Sequence, residues 1–306
     1  MDFEATEMAI RAAMHRVGGV FLQKLLDADT NRGYRGHHVP CGHEHEAYLV
    51  DYRSKKLTTL LAPVTISRAY YHSPDCDHGV IPRDQELDVV GTSFSPGARR
   101  LMSRVGSKEP FRAGQEDLAS LADLTVNSKA VERTSKATGK QAEAWAAQER
   151  LAIWDGKLKP LITAVGKLYI AMDGTGVPMI PRETAGRPGK GDDGRAHTRE
   201  AKLACVFTQT KEDAEGKPIR DPASTTYTGA IEGTNEFGVR VYAEAVRRGL
   251  EKAALVIVLG DGAPWIWHLA AEHFPGAICI VDLYHAKEHL AYIAQLTLPG
   301  GQQRNA

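Results

Sequence analysis

Long apolar runs are missing from this chain, and no stretch approaches the ~20 consecutive apolar residues that a membrane-spanning helix needs. Net charge is missing too: 38 Lys and Arg balance 38 Asp and Glu, a formal charge of +0 over 306 residues. That balance excludes a uniformly basic nucleic-acid binder but leaves room for local basic patches. Cysteine is scarce. Cys41, Cys76, Cys205 and Cys279 are too few and too dispersed for a disulfide scaffold, and they fit a reducing, intracellular compartment. The segment Met1 to Leu26 mixes acids and bases in an amphipathic pattern and lacks the apolar block of a signal peptide. A cytoplasmic protein with no membrane partner is the expectation, with room for two or three domains.

What is present falls into four segments. Residues 1–30 carry apolar side chains at helical spacing (Met8, Ile10, Ala13, Val17, Phe21, Leu25, Leu26) and predict a helix. Residues 31–90 hold β-rich runs, at Ala47 to Val50, Leu57 to Leu61 and Val64 to Tyr71, flanked by two Cys- and His-rich clusters. Residues 91–158 are helical by pattern. Within them Arg112 to Leu124 and Asn127 to Thr138 predict two short helices around a tight turn, followed by a linker helix from Gln141 to Gly156. From about residue 160 to 306, three successive strands (Lys167 to Met172, Ala201 to Thr208, Thr225 to Ile231) precede alternating helix and strand, which predicts a mixed sheet. The Gly- and charge-rich stretch Pro181 to Arg199 reads as a loop.

Two aspartates stand out. The apolar runs Leu168 to Met172 and Ala254 to Gly260 end on Asp173 and Asp261, each followed by glycine. A carboxylate at the rim of an apolar core is costly without a compensating cation, so the pair predicts a shared divalent metal, Mg²⁺ or Mn²⁺, and phosphate chemistry. Haloacid-dehalogenase phosphatases show a similar Asp-Gly-Thr and Gly-Asp-Gly pattern. In that pattern the nucleophile would fall at Ala171, which cannot form an aspartyl-phosphate.

After the last predicted strand comes Asp282-Leu283-Tyr284-His285, then Ala286-Lys287-Glu288-His289-Leu290. These residues resemble the Asp-x-x-His signature of Mutator-like DDE transposases. With Gly260 to Trp267 and Val281 to Leu290, and with segments Gly91 to Asp123 and Asp221 to Gly233, the chain resembles bacterial insertion-sequence transposases of the ISKra type. The resemblance implies an RNase H-like α/β core over residues 160–306, preceded by a helix-turn-helix-like helical region and a small zinc-ribbon-like β unit. It implies cleavage and joining of double-stranded DNA ends in a homo-oligomeric DNA complex, in a bacterial cytoplasm beside the nucleoid. Asp173 and Asp261 match the first two catalytic acids and hold Mg²⁺. Asp282 and His285 form the motif after the fifth strand, with Asp282 orienting His285. The third acid departs from the pattern, because the chain stops about twenty residues after His285 where relatives continue to a helical Glu. Glu288 is the nearby substitute, and the expectation is a truncated copy whose alternative fate is a catalytically inactive DNA-binding remnant.

The N-terminal half carries two DNA-reading expectations. Relatives of this type pair two Cys-x-x-Cys knuckles; here the equivalents are His38-Val39-Pro40-Cys41 and Ser73-Pro74-Asp75-Cys76. His38, Cys41 and Cys76 then need a fourth donor from His72, His78 or His43 to bind Zn²⁺. Arg99, Arg100, Arg104, Lys129, Arg133 and Lys136 form the basic set expected to contact DNA, with the last three at helical spacing on one face. Cys205 and Cys279, inside apolar strands, read as core residues, and Trp265 and Trp267 as packing.

Overall fold

The computed structural model describes residues 2–157, 165–189 and 194–297, and the chain divides into two compact units, Met1–Ala144 and Trp145–Ala306. The expected start of the core near residue 160, and the polar tail from residue 298 on which the truncation expectation rested, fall outside the described residues.

In the first unit, helix α1 (Phe3–Ala28) opens on an Asp2 cap whose side chain accepts from the Ala5 N–H. A four-stranded antiparallel sheet follows in the order β1 (His38–Pro40), β2 (Glu46–Leu57), β3 (Val64–Ser73) and β4 (His78–Val80). The two strands expected at Ala47 to Val50 and Leu57 to Leu61 differ from what forms. A single β2 runs through the polar residues 51–56, with a register shift between Leu49 and Asp51, and ends at Leu57. Pairing with β3 holds that polar middle extended despite its low strand propensity. The short helix α2 (Pro82–Glu86) then places Asp84 against Lys55 and Arg68.

Three helices follow: α3 (Pro96–Gly106), α4 (Phe111–Ala122) and α5 (Ser128–Trp154), of which residues 128–144 belong to this unit. Ala98, Met102, Leu118, Leu124, Ala130 and Val131 bury between them, an apolar cluster drawn from all three. Asp123 adopts a left-handed cap at the end of α4, and the Asn127 side chain accepts from the Ala130 N–H to start α5. The helix expected to stop at Thr138 instead runs on to Trp154, 27 residues in all from Ser128, merging with the expected linker helix. Gly139 costs only ~1 kcal/mol against Ala in a helix, and the Ala-, Gln- and Glu-rich residues after it are strong helix formers.

The second unit is built on a five-stranded mixed sheet in the order β11-β10-β5-β6-β9. Strand β5 (Val165–Pro178) leads through a single helical turn α6 (Pro181–Thr184) to β6 (Thr198–Phe207); a small hairpin, β7 (Lys211–Glu212) and β8 (Pro218–Ile219), precedes β9 (Thr226–Ala230). Helix α7 (Thr234–Arg247) then leads to β10 (Ala253–Gly260), α8 (Pro264–His273), β11 (Ile278–Val281) and α9 (Leu283–Thr297). Strands β5, β6 and β9 are antiparallel neighbours, while β10 and β11 run parallel to β5 on its other side. The expected mixed sheet is what forms. The stretch Pro181 to Arg199, expected to be a loop, holds α6, a bridge between Pro188 and Arg195 and the start of β6; its residues 190–193 lie outside the described set.

Period-two alternation divides the side chains of this sheet. Leu168, Ile170 and Met172 of β5, Ala204 and Val206 of β6, and Val258 of β10 face a core closed by Phe237, Val241 and Ala245 of α7 and Ile266, Leu269 and Ala270 of α8. Spacings of four on α7 put its three residues on one stripe. Burying each large apolar side chain contributes ~1.5–3 kcal/mol, so this face is where the unit gains its stability. The odd-numbered residues, among them Ala171, Asp173, Leu203, Cys205 and Leu259, face the other way.

Candidate functional site

That opposite face carries a cavity of about 300 Å³ lined by Asp173, Asp261, Asp282, His285, Arg220, Cys205 and their small apolar neighbours. The register explains why three aspartates line one cavity. Leu259 pairs with Ala171, so Asp261 and Asp173, each two residues on, stand at the same level on adjacent parallel strands. Gly260 pairs with Val281, and the Asp282 N–H donates to the Gly260 carbonyl at 2.7 Å, which sets Asp282 beside Asp261 on the third strand. Neighbouring strands lie ~4.8 Å apart, which sets the spacing of the three backbones that carry these aspartates.

Each aspartate is fixed locally. Asp261 accepts from the Ala263 N–H at 2.8 Å, in the turn that starts α8. Asp282 accepts from the Tyr284 N–H at 2.7 Å and starts α9, holding His285 3.8 Å from its own carboxylate. The His285 Nδ1 is buried and has no hydrogen-bond partner. Asp173 does not end its strand as expected: β5 continues to Pro178 because Asp173 pairs with Leu203 and Gly174 with Lys202. Beyond Met172 the apolar run stops while the ladder does not.

One cavity residue, Arg220, and its neighbour Asp221 escaped sequence reasoning. Arg220 comes from the chain just after the β7–β8 hairpin, its guanidinium 3.7 Å over the Phe207 ring and 4.0 Å from the Cys205 sulfur. Asp221, beside it, accepts from the Thr208 hydroxyl at 2.6 Å and from Thr210 at 2.9 Å through its side chain and 3.1 Å through its N–H. The Thr208 bond, chiefly, holds the Asp221 carboxyl below its usual range, so it stays charged and anchored. No apolar period marks this hairpin; the turn around Asp213 and Gly216 was the available signal. Cys205, expected in the core, is only partly buried and lines the cavity, where burial raises its thiol above the ordinary value despite Arg220. Cys279, also expected in the core, is exposed because β11 is an edge strand with no buried residue. Trp265 does pack, edge-on to Phe237. Glu288 sits on the exposed surface of α9, outside the cavity lining.

The first unit holds a second group. Cys41, His43 and Cys76 bring their ligand atoms within 4.8 Å of one another, the one such group of three among the described residues, and could hold a metal ion. The Cys41 and Cys76 sulfurs are 3.5 Å apart, and the His43 N–H donates to the Cys41 sulfur at 3.3 Å. Burial works to raise the Cys41 thiol, but hydrogen bonds from the His43 N–H and the Cys76 thiol outweigh it and lower it. His38 lies elsewhere, 3.9 Å from Glu46, and His72 bonds Asp77 at 2.9 Å.

Of the basic set, Arg100, Arg104 and Lys136 line one groove between α3 and α5. Arg99 is engaged by Asp88, and Lys129 and Lys136 both pair with Glu132, at 2.9 and 2.6 Å. Their hydrogen bonds, that from Lys136 first, hold the Glu132 carboxyl at about 2. Arg133 donates to the Lys129 carbonyl, at 3.4 Å.

No family model matches this chain, and no curated protein does. Among solved structures it is similar to a chain of the "Drosophila P element transposase strand transfer complex", with a TM-score of 0.32 and 11% identity over 69% of this chain. The likeness covers 46% of that chain, so this one spans under half its length. That degree of likeness assigns neither fold nor activity here. No described helix is long and apolar enough to cross a membrane.

Proposed function

We propose that this protein is a DDE-type DNA transposase of the ISKra, Mutator-like type, with an RNase H-like core and Asp173 and Asp261 as its metal-holding acids. The observation that carries this is the convergence of Asp173, Asp261 and Asp282 at one end of three adjacent parallel strands, in one cavity with Arg220 and His285. Two ionisable carboxylates on neighbouring strands are hard oxygen donors and suit Mg²⁺ or Mn²⁺. When bound, such an ion stabilises charge on the scissile phosphate and favours ionisation of the attacking water or 3′-hydroxyl.

The chain's own residues do the rest. Arg220, stacked on Phe207 and steadied by the anchored Asp221, offers a fixed cation to a DNA phosphate at the cavity mouth. Asp282 caps α9 and so aims the His285 ring, whose unpartnered nitrogen can hold a proton or a phosphate oxygen. Ala171, Leu203 and Leu259 supply the apolar part of the cavity lining. Cys205, kept as a neutral thiol, takes no part as a nucleophile.

DNA recognition belongs, in this account, to α3–α5 with Arg100, Arg104, Arg133 and Lys136, and to the Cys- and His-bearing sheet, in a homo-oligomer on double-stranded DNA. A second reading is a DNA-binding protein without cleavage activity. It is favoured by one observation: among the described residues no Glu lines the cavity, and Glu288 lies outside it. Mn²⁺ titration followed by electron paramagnetic resonance tests the metal role. Binding that falls at least roughly tenfold in both Asp173→Asn and Asp261→Asn is the expected result; unchanged binding in either variant would remove the basis of the enzyme reading.

A further inference from the structure

Helix α1 is apolar on two sides, and one of them is docked. Leu22 and Leu26 pack into the cluster of Leu57, Val64, Ile66 and Val89. Gly19 is buried where a Cβ would lie 2.4 Å from that of Ala62, and the Gln23 side chain exchanges two hydrogen bonds with the Thr65 backbone, both 2.8 Å. Arg11 holds Asp123 at 2.9 Å. The other side is open. Phe3, Ile10, Met14, Val17 and Phe21 are all exposed, and at ~3.6 residues per turn they fall on one stripe turned away from Leu22 and Leu26. A cavity of about 320 Å³ on this side is lined by Arg16, Val17, Val20, Phe21 and Lys24, every one of them an α1 residue. Among the described residues, no other element lines it.

We propose that this stripe is the contact surface of a homodimer, in which α1 of one chain packs antiparallel against α1 of a second copy. The spacing carries it. From Phe3 to Ala28 the row steps alternately by four and three residues, through Glu7 before Ile10 and Lys24 after Phe21, which is the seam of a two-stranded coiled coil kept over the 26 residues of the helix. The two charges in the row fix the direction. In a parallel pair Glu7 would face Glu7 and Lys24 would face Lys24, and like charges set opposite each other are destabilising. In an antiparallel pair the same row runs backwards against itself. Glu7 of one copy then meets Lys24 of the other, Ile10 meets Phe21, Met14 meets Val17 and Phe3 meets Ala28. The pairing is reciprocal, so a two-fold axis beside Met14 and Val17 generates both ion pairs, which is the self-complementary contact of a symmetric dimer.

The surface is of the size such a contact needs. The two phenylalanines, 72 and 65% exposed, offer roughly 200–340 Å² of the ~800 Å² per partner that a stable interface buries. Ile10, Met14, Val17, Val20 and Leu25 are each between 58 and 64% exposed, and the stems of Arg16 and Lys24 flank them. The helix is already held by its own unit, so pairing orders little besides side chains. This inference rests on no part of the catalytic reading, since α1 belongs to the other unit. The oligomer proposed above sits on DNA, whereas this pair needs none.

Sedimentation equilibrium of the full chain, without DNA or divalent metal, tests this. A dimer by about 100 μM is expected, since interfaces of standard size range from μM to pM in affinity. Met14→Asp should leave a monomer with its helical circular dichroism unchanged. Glu7→Lys and Lys24→Glu should each weaken the dimer at least roughly tenfold by setting like charges opposite one another, and the two changes together should restore it to within about twofold. If Met14→Asp does not fold, this charge-exchange series decides alone. A chain that stays monomeric over the same concentrations overturns the proposal, and so does a monomer that instead sediments with phosphatidylserine vesicles. A dimer indifferent to a folded Met14→Asp, or single charge variants that pair as tightly as the parent, would overturn it too.

Discussion

Removing the Asp84 carboxylate should loosen the four-stranded sheet that carries Cys41 and Cys76 at one end. Its Oδ2 accepts from the Lys55 Nζ and the Arg68 Nη1, both at 2.8 Å, with the three side chains only 8, 16 and 10% exposed. Breaking a buried pair by deleting one partner costs ~3–5 kcal/mol, because the surviving charge is left without compensation. Here two cations survive. Lys55 keeps the Val89 carbonyl at 2.6 Å, and Arg68 keeps those of Arg53 and Ser54 at 3.3 and 3.4 Å, which offsets part of the loss. An Asp84→Ala cost of about 3–4 kcal/mol follows. All four tryptophans lie at position 145 or beyond, so their fluorescence cannot follow this unit. Hydrogen exchange by mass spectrometry can. Peptides from β3 should lose roughly 150- to 700-fold in protection, at about 1.4 kcal/mol per tenfold, while peptides from β5 and β10 stay unchanged. A triple change of Asp84→Leu, Lys55→Met and Arg68→Met should recover most of it. A loss below about tenfold in β3 would refute the account of this ion cluster, since no partner deletion of a buried pair should cost so little.

Three further outcomes are expected. Arg220→Ala should slow DNA nicking on the order of 100- to 1000-fold with Mn²⁺ binding retained, and Arg220→Lys should recover part of it; gel-based single-turnover rates check this. Gly260→Ala puts a Cβ 2.8 Å from Ile266 Cγ2, so α8 must shift beside Asp261; a Tm several degrees lower and weaker Mn²⁺ binding are expected, by calorimetry and resonance titration. Glu132→Gln frees Lys129 and Lys136, so DNA affinity should rise and the salt slope steepen in fluorescence anisotropy. The same pairing sets a pH window. With its folded value depressed to about 2 from 4.5, the Glu132 contribution to stability is present above 4.5 and is lost as pH falls toward 2.

Much of this was legible in the residues because period and chemistry agreed. Runs such as Leu168 to Met172 and Ala254 to Leu259 form strands because their apolar side chains face a core on one side, and Thr234–Arg247 forms a helix because its apolar residues share a stripe. What stayed hidden came from tertiary pairing. The reach of β5 past Asp173 depends on β6, and the single β2 depends on β3. Arg220 and Asp84 act through distant partners, Phe207 and Lys55, which no local pattern announces. The metal-ligand candidates were named from the sequence, but that His43 is the histidine that joins Cys41 and Cys76 depends on the turn through the left-handed Gly42.

The central claim is that Asp173 and Asp261 cut DNA. Its most direct test is nicking of a supercoiled plasmid carrying the gene's flanking DNA, by the purified chain with Mg²⁺ or Mn²⁺. The account predicts metal-dependent nicking that Asp173→Asn and Asp261→Asn each abolish while DNA binding persists. DNA bound without nicking under either ion, or nicking that survives both substitutions, would contradict it.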